Sequence, residues 1–162
     1  MALELLEQMK ESISGLDPTA MPATELGASL VALEHLHDQL EVCRLSFTSE
    51  WDQSGEWAAD GALSAAAWLR LHLAVSNASA RQQVRTARAL RAAPVMNEAF
   101  RSGTLTAAKV RLLAPLVSGE RAELFARDEA VLVDEAKAGT VEAVGQLVRC
   151  WRAYADDELG RP

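Results

Sequence analysis

The stretch 61–114, GALSAAAWLRLHLAVSNASARQQVRTARALRAAPVMNEAFRSGTLTAAKVRLLA, decides the fold. Its punctuation is that of one helix after another. Ser64 stands as an N-cap before a helix over 65–74, and Ser76 before one over 77–93. Pro94 sits where a first helical residue loses nothing by lacking an N–H, and opens a helix over 94–102. Gly103 suits the left-handed residue that ends it. Residues 104–106 then lead into a helix over 106–117, which Pro115 must bend or shorten.

The flanks read the same way. An amphipathic helix over 2–14 carries Leu3, Leu6, Met9 and Ile13 at three- and four-residue spacing and stops at Gly15 and Pro18. A long helix follows over 24–52, with Thr24 as N-cap and Glu25 in its first turn. Leu26, Leu33, Leu40 and Phe47 fall seven apart along it, with Leu30, Leu36 and Cys43 in the same stripe and Glu34, Asp38 and Glu41 on the polar face. That spacing fits either an intramolecular packing face or a dimer seam for self-association. Beyond Gly119 a helix over 120–137 carries Leu124, Phe125, Val131 and Leu132 as core candidates and ends at Gly139, and Thr140 caps a last one with Val141, Val144, Leu147, Val148 and Trp151 inward. Thirty alanines against one tyrosine favour helix over sheet. The expected fold is all-α: a single compact multi-helix array of six to eight helices, one domain over 1–162, with a long N-terminal amphipathic helix.

The net charge of −7 is segregated. Residues 1–60 hold 12 acids and two bases, whereas 61–111 hold eight bases and one acid. Arg81, Arg85 and Arg88 share one helix face at spacings of four and three, and Arg91 continues the row. Two readings stand side by side. The arginines contact nucleic-acid phosphates, or they pair with the acidic N-terminal helices. The helices over 94–102 and 106–114 with their glycine turn also have helix-turn-helix spacing, which adds Arg101, Lys109 and Arg111 as candidate DNA contacts.

Reactive chemistry is hard to assemble. His35 and His37 lie two apart and point to different helix faces, and His72 stands alone, so no metal ligand set is expected. The serines fall as helix caps and turns, no phosphate-loop or nucleophile-elbow motif occurs, and no cofactor is implied. The acid pairs Asp128-Glu129 and Asp134-Glu135 read as a solvated face. The four tryptophans read as packing residues, and Cys43 and Cys150 as free, mostly buried thiols. No run approaches the roughly 18–20 apolar residues of a membrane span, and the N-terminus is not a signal peptide, so a cytoplasmic protein without membrane partner is expected.

Several of these residues carry a family resemblance: Trp57, the GALS of 61–64, Trp68 and Leu69, the RTARAL of 85–90, Pro94, Ala99 and the GTLT of 103–106. With them the chain resembles domain-of-unknown-function family 222, common in actinobacteria and known from mycobacterial repeat-family proteins. The likeness is strongest over 50–115 and extends over nearly the whole chain. Such domains often precede an HNH endonuclease module, whose histidine and asparagine metal site nothing here supplies. The resemblance thus implies a helical module accompanying a nuclease, its own role not established, and the arginine row adds DNA as the expected partner of a non-catalytic module. The alternative is a protein-interaction or dimerisation module that binds no nucleic acid.

Overall fold

A computed structural model describes residues 1–160. Among them are eight α-helices and no strand. In order they are α1 (Ala2–Ser14), α2 (Ala23–Ser54), α3 (Ala65–His72), α4 (Asn77–Ala92), α5 (Pro94–Arg101), α6 (Ala107–Leu113), α7 (Ala122–Ala138) and α8 (Val141–Glu158). The all-α expectation holds. The chain divides into two compact units, Met1–Leu36 and His37–Pro162.

The first unit comprises α1, a short 3-10 turn over Pro18–Ala20 and the opening turns of α2. Asp17 caps the 3-10 turn by accepting from the Thr19 N–H at 2.9 Å. Helix α2 starts at Ala23, so Thr24 lies inside it and not at its cap. No residue of this unit is buried; Leu3, Leu6 and Ile13 of the expected apolar face are all exposed.

The second unit contains the core. Phe100, Phe125, Met96, Leu105, Leu113 and Leu116 are its largest fully buried side chains, contributed by α5, α6, α7 and the segments beside them. Burying each such side chain is worth about 1.5–3 kcal/mol. Leu90 of α4, Val144 and Trp151 of α8 and Leu45 of α2 complete the cluster. A smaller cluster holds Ala65, Leu69, Ala80 and Val84, with Trp51, Trp57 and Trp68 packed against it. The tryptophans therefore pack as expected, Trp151 in one cluster and the other three beside the second.

Most helix ends follow the sequence. Ser64, Ser76 and Thr140 each accept an N–H from the third residue on. Gly103 adopts φ 76°, the left-handed conformation that favours glycine. Pro115 ends α6 at Leu113 and turns the chain into a 3-10 segment, Ala114–Leu116. Two N-termini lack a local cap and borrow one. Ala93 before α5 has no acceptor, and Glu129 of α7 takes the Met96 N–H at 2.9 Å. Thr106 forms no side-chain cap, and Asp38 of α2 takes the Ala107 N–H at 3.0 Å. Glu129 is thus buried, unlike the solvated acid expected there, because a helix N-terminus supplies both donors and partial positive charge.

Helix α2 differs most from expectation. From Asp38 onward it turns inward not the apolar stripe but the row Asp38, Glu41, Leu45, Thr48 and Asp52. A chain of polar contacts makes this feasible. Glu41 accepts two hydrogen bonds from Arg44, Arg44 Nη1 donates to Gln83 Oε1 of α4, and Gln83 Nε2 donates to Thr48 Oγ1. Glu41, Thr48 and Gln83 are therefore partnered, without which the burial of each would cost about 1–3 kcal/mol, whereas the buried Trp51 Nε1 of the same helix has no partner among the described residues. Phe47 lies on the other side and is 65% exposed. Cys43 is exposed with it, as is Cys150 on α8, so the thiols are free but not buried.

Candidate anion-binding cleft

The outer side of α4 carries Arg81, Arg85, Arg88 and Arg91 and no acid. Its inner side buries Gln83, Val84, Ala87 and Leu90, which fixes the arginines outward. The four do not share one fate. Arg88 donates through Nε and Nη2 to both carboxylate oxygens of Asp52, each at 2.7 Å. Arg91 lies beside the same carboxylate at 3.8 Å and donates to Ser49 Oγ at 3.4 Å. Arg81 and Arg85 are exposed and form no hydrogen bond or ion pair among the described residues.

The Asp52 side chain is only 5% exposed. The Arg88 hydrogen bond holds its carboxyl below the usual carboxylate range; burial opposes this, and the charges of Arg88 and Arg91 reinforce it. Arg88 is shifted upward in turn, first by the same hydrogen bond. Pairing of the arginine row with an acidic helix is therefore real, but covers only Arg88 and Arg91. Asp52 escaped the sequence reading because it lies beyond the expected apolar stripe. The signal was there in the spacing of Glu41, Leu45, Thr48 and Asp52, which recur on one helical face.

Between α4 and the segment from α6 to Ser118 lies a cleft of about 610 Å3. Arg85 and Arg88 line it from α4 and Arg111 from α6. Among the described residues no carboxylate lines it. Arg111, like Arg85, has no side-chain partner among the described residues. Thr86, Ala89, Ala114 and Val117 are buried at its floor, while Gln82, Pro115 and Ser118 are exposed at its edge. The site residues that sequence reasoning missed are these small and uncharged ones, whose types carry no signal until α4 and the 3-10 segment are packed together.

The remaining candidates lie elsewhere. Arg101 lines a separate groove with Arg91, Asn97 and Glu50. Lys109 is half-buried and donates from Nζ to the Lys137 carbonyl at 3.2 Å, at the C-terminal end of α7. Of the basic residues on α6, Arg111 alone is thus unoccupied. The seam residues Leu26 and Leu40 are half-buried, whereas Leu33 and Phe47 are exposed. Among the described residues no helix is long and apolar enough to cross a membrane.

The second unit is thus an all-α module with a cationic cleft in its side. A family model described as a domain of unknown function (DUF222) matches residues 27–158, and the chain belongs to that family. Neither a curated protein nor a solved structure matches the chain.

Proposed function

We propose that this chain is a non-catalytic helical module that accompanies an HNH-type nuclease and holds nucleic acid by its phosphates. The observation that carries this is the cleft: Arg85 and Arg111, distant in sequence, face one hollow with Arg88 and no carboxylate among them. Guanidinium groups left unpaired in this way suit bidentate capture of phosphate oxygens. Arg81 extends the unpaired row along α4. Binding should weaken steeply with salt, since each phosphate contact releases counterions. Fluorescence anisotropy with labelled oligonucleotides at low ionic strength tests this. Arg85→Ala/Arg111→Ala should bind poorly, whereas Arg127→Ala, which removes an arginine already engaged by Asp128 and Tyr154, should not. Equal binding by both variants, or none by the wild type, overturns the reading.

A second reading draws on a different observation. Leu33 is 42% exposed and Phe47 65%, at seam positions of the long helix. Apolar side chains so placed favour a protein-interaction or dimerisation module. It requires that the chain self-associate through Leu26, Leu33, Leu40 and Phe47. A solution mass of one chain across the micromolar range would exclude its dimer form.

A further inference from the structure

We propose that the cleft holds one unpaired nucleotide, its phosphate on the arginine rim and its base on the small-residue floor. The proposal rests on the phosphate-binding reading above and says which nucleic acid the module prefers. A flat or convex row of cations can track any phosphate backbone. Here the cations instead surround a hollow of about 610 Å3, within the ~300–1,000 Å3 typical of small-molecule sites. Its rim is charged, with Arg85, Arg88 and Arg111 exposed. Its floor is apolar, with Ala89, Ala114 and Val117 buried. Such a lining suits an anion joined to a flat apolar body, and a nucleotide is that combination.

The polymer state follows from the same shape. In a duplex the bases are stacked and paired, so only sugar and phosphate reach the protein backbone-side. A duplex would touch the rim and leave the floor without a partner. A single strand presents phosphate and base together, and its bases are free to leave the stack. Alanines at the floor make room where larger side chains would fill it. Thr86, buried at the floor, has a hydroxyl with no hydrogen-bond partner among the described residues. It offers one donor and an acceptor to a base edge.

The test compares three labelled probes at one low salt concentration: a single strand, its duplex, and an abasic strand of equal length. The expected result is single-strand binding about tenfold tighter than either of the others. Ala92→Leu narrows the hollow from an exposed position on its edge while keeping every arginine. It should bring the single strand to the abasic level and leave abasic binding within about twofold. A thermal melt matching the wild type confirms that this variant folds. Equal affinity for all three probes, still salt-dependent, overturns the nucleotide proposal and leaves the phosphate reading standing. Failure to bind any probe overturns both. A nucleoside monophosphate added as competitor separates two sources of the same chemistry. Displacement at equal nucleotide concentration assigns the cleft to free nucleotide, displacement by strand alone assigns it to a strand, and either supports the site.

Discussion

Removing Arg85 and Arg111 together should flatten the salt dependence of nucleic-acid binding by an amount the structure sets. Arg81, Arg85 and Arg111 are the exposed arginines of α4 and the cleft that have no partner among the described residues. Three such contacts to a single strand give a slope of log Kobs against log salt of about −2.1. Raising salt from about 50 to about 200 mM then weakens binding roughly 20-fold. The double variant Arg85→Ala/Arg111→Ala keeps one contact, so its slope is about −0.7 and the same salt step costs roughly threefold. Asp52→Asn moves the other way. It frees Arg88 from its bidentate carboxylate, adds a fourth contact and steepens the slope to about −2.8. Anisotropy titrations at four or more salt concentrations measure all three slopes. If wild type and double variant share one slope, the cleft arginines do not touch phosphate. If Asp52→Asn leaves the slope unchanged, Arg88 contributes nothing when released.

Other consequences concern the fold. Glu129→Ala leaves the Met96 N–H of α5 without its acceptor in a buried position, and should cost about 1–3 kcal/mol in urea unfolding followed by circular dichroism. Glu129→Gln keeps an accepting oxygen and should recover most of that loss. Asp52 has its folded pKa depressed, so its contribution to stability is present above the unfolded value and is lost as pH falls through the folded one. Wild type should therefore be more stable than Asp52→Asn near neutrality by about 1 kcal/mol or less, because Arg88 is exposed. That difference should begin to narrow near about pH 4 and close once the pH passes the depressed folded value, and a gap that stayed constant as the pH fell through that range would refute the assignment. If the long helix is a dimer seam, Leu33→Ser/Phe47→Ser should convert a two-chain mass to a one-chain mass in analytical ultracentrifugation.

The helix boundaries were legible because their signals are local. Ser64, Ser76, Thr140, Gly103 and Pro115 act through their own backbone neighbourhood, and each does in the structure what its type and position imply. What the sequence hid is non-local. The caps on α5 and α6 come from Glu129 and Asp38, whose distance along the chain carries no cue. The inward face of α2 was misread for a physical reason. Seven-residue apolar spacing is the stronger pattern, but Glu41, Thr48 and Asp52 can be turned inward once Arg44 stands beside them on α2 and Gln83 and Arg88 opposite on α4. Half of the candidate site was visible as an arginine row. The other half, the floor between α4 and the 3-10 segment, is made of alanine, threonine and valine, which announce nothing on their own.

Asp52 connects the two accounts of the arginine row that the charge distribution left open. It partners Arg88 fully and Arg91 loosely, and reaches neither Arg81 nor Arg85. Pairing within the fold and binding of an external anion are therefore not competing explanations of the same arginines. On the proposed reading they divide the row between them, with Arg88 alone in both. Its Nε and Nη2 are held by Asp52, while Nη1 has no partner among the described residues and the side chain still lines the cleft. On the proposed reading a phosphate beside Arg85 and Arg111 could hydrogen-bond Nη1 with the ion pair intact, Asp52 then orienting Arg88 while neutralising the charge that the salt slope counts. Asp52→Asn should accordingly raise the salt slope, because more net charge is exposed, yet loosen the geometry. The ratio of single-strand to abasic-strand affinity, which depends on placement and not on charge, should fall in that variant while total binding rises.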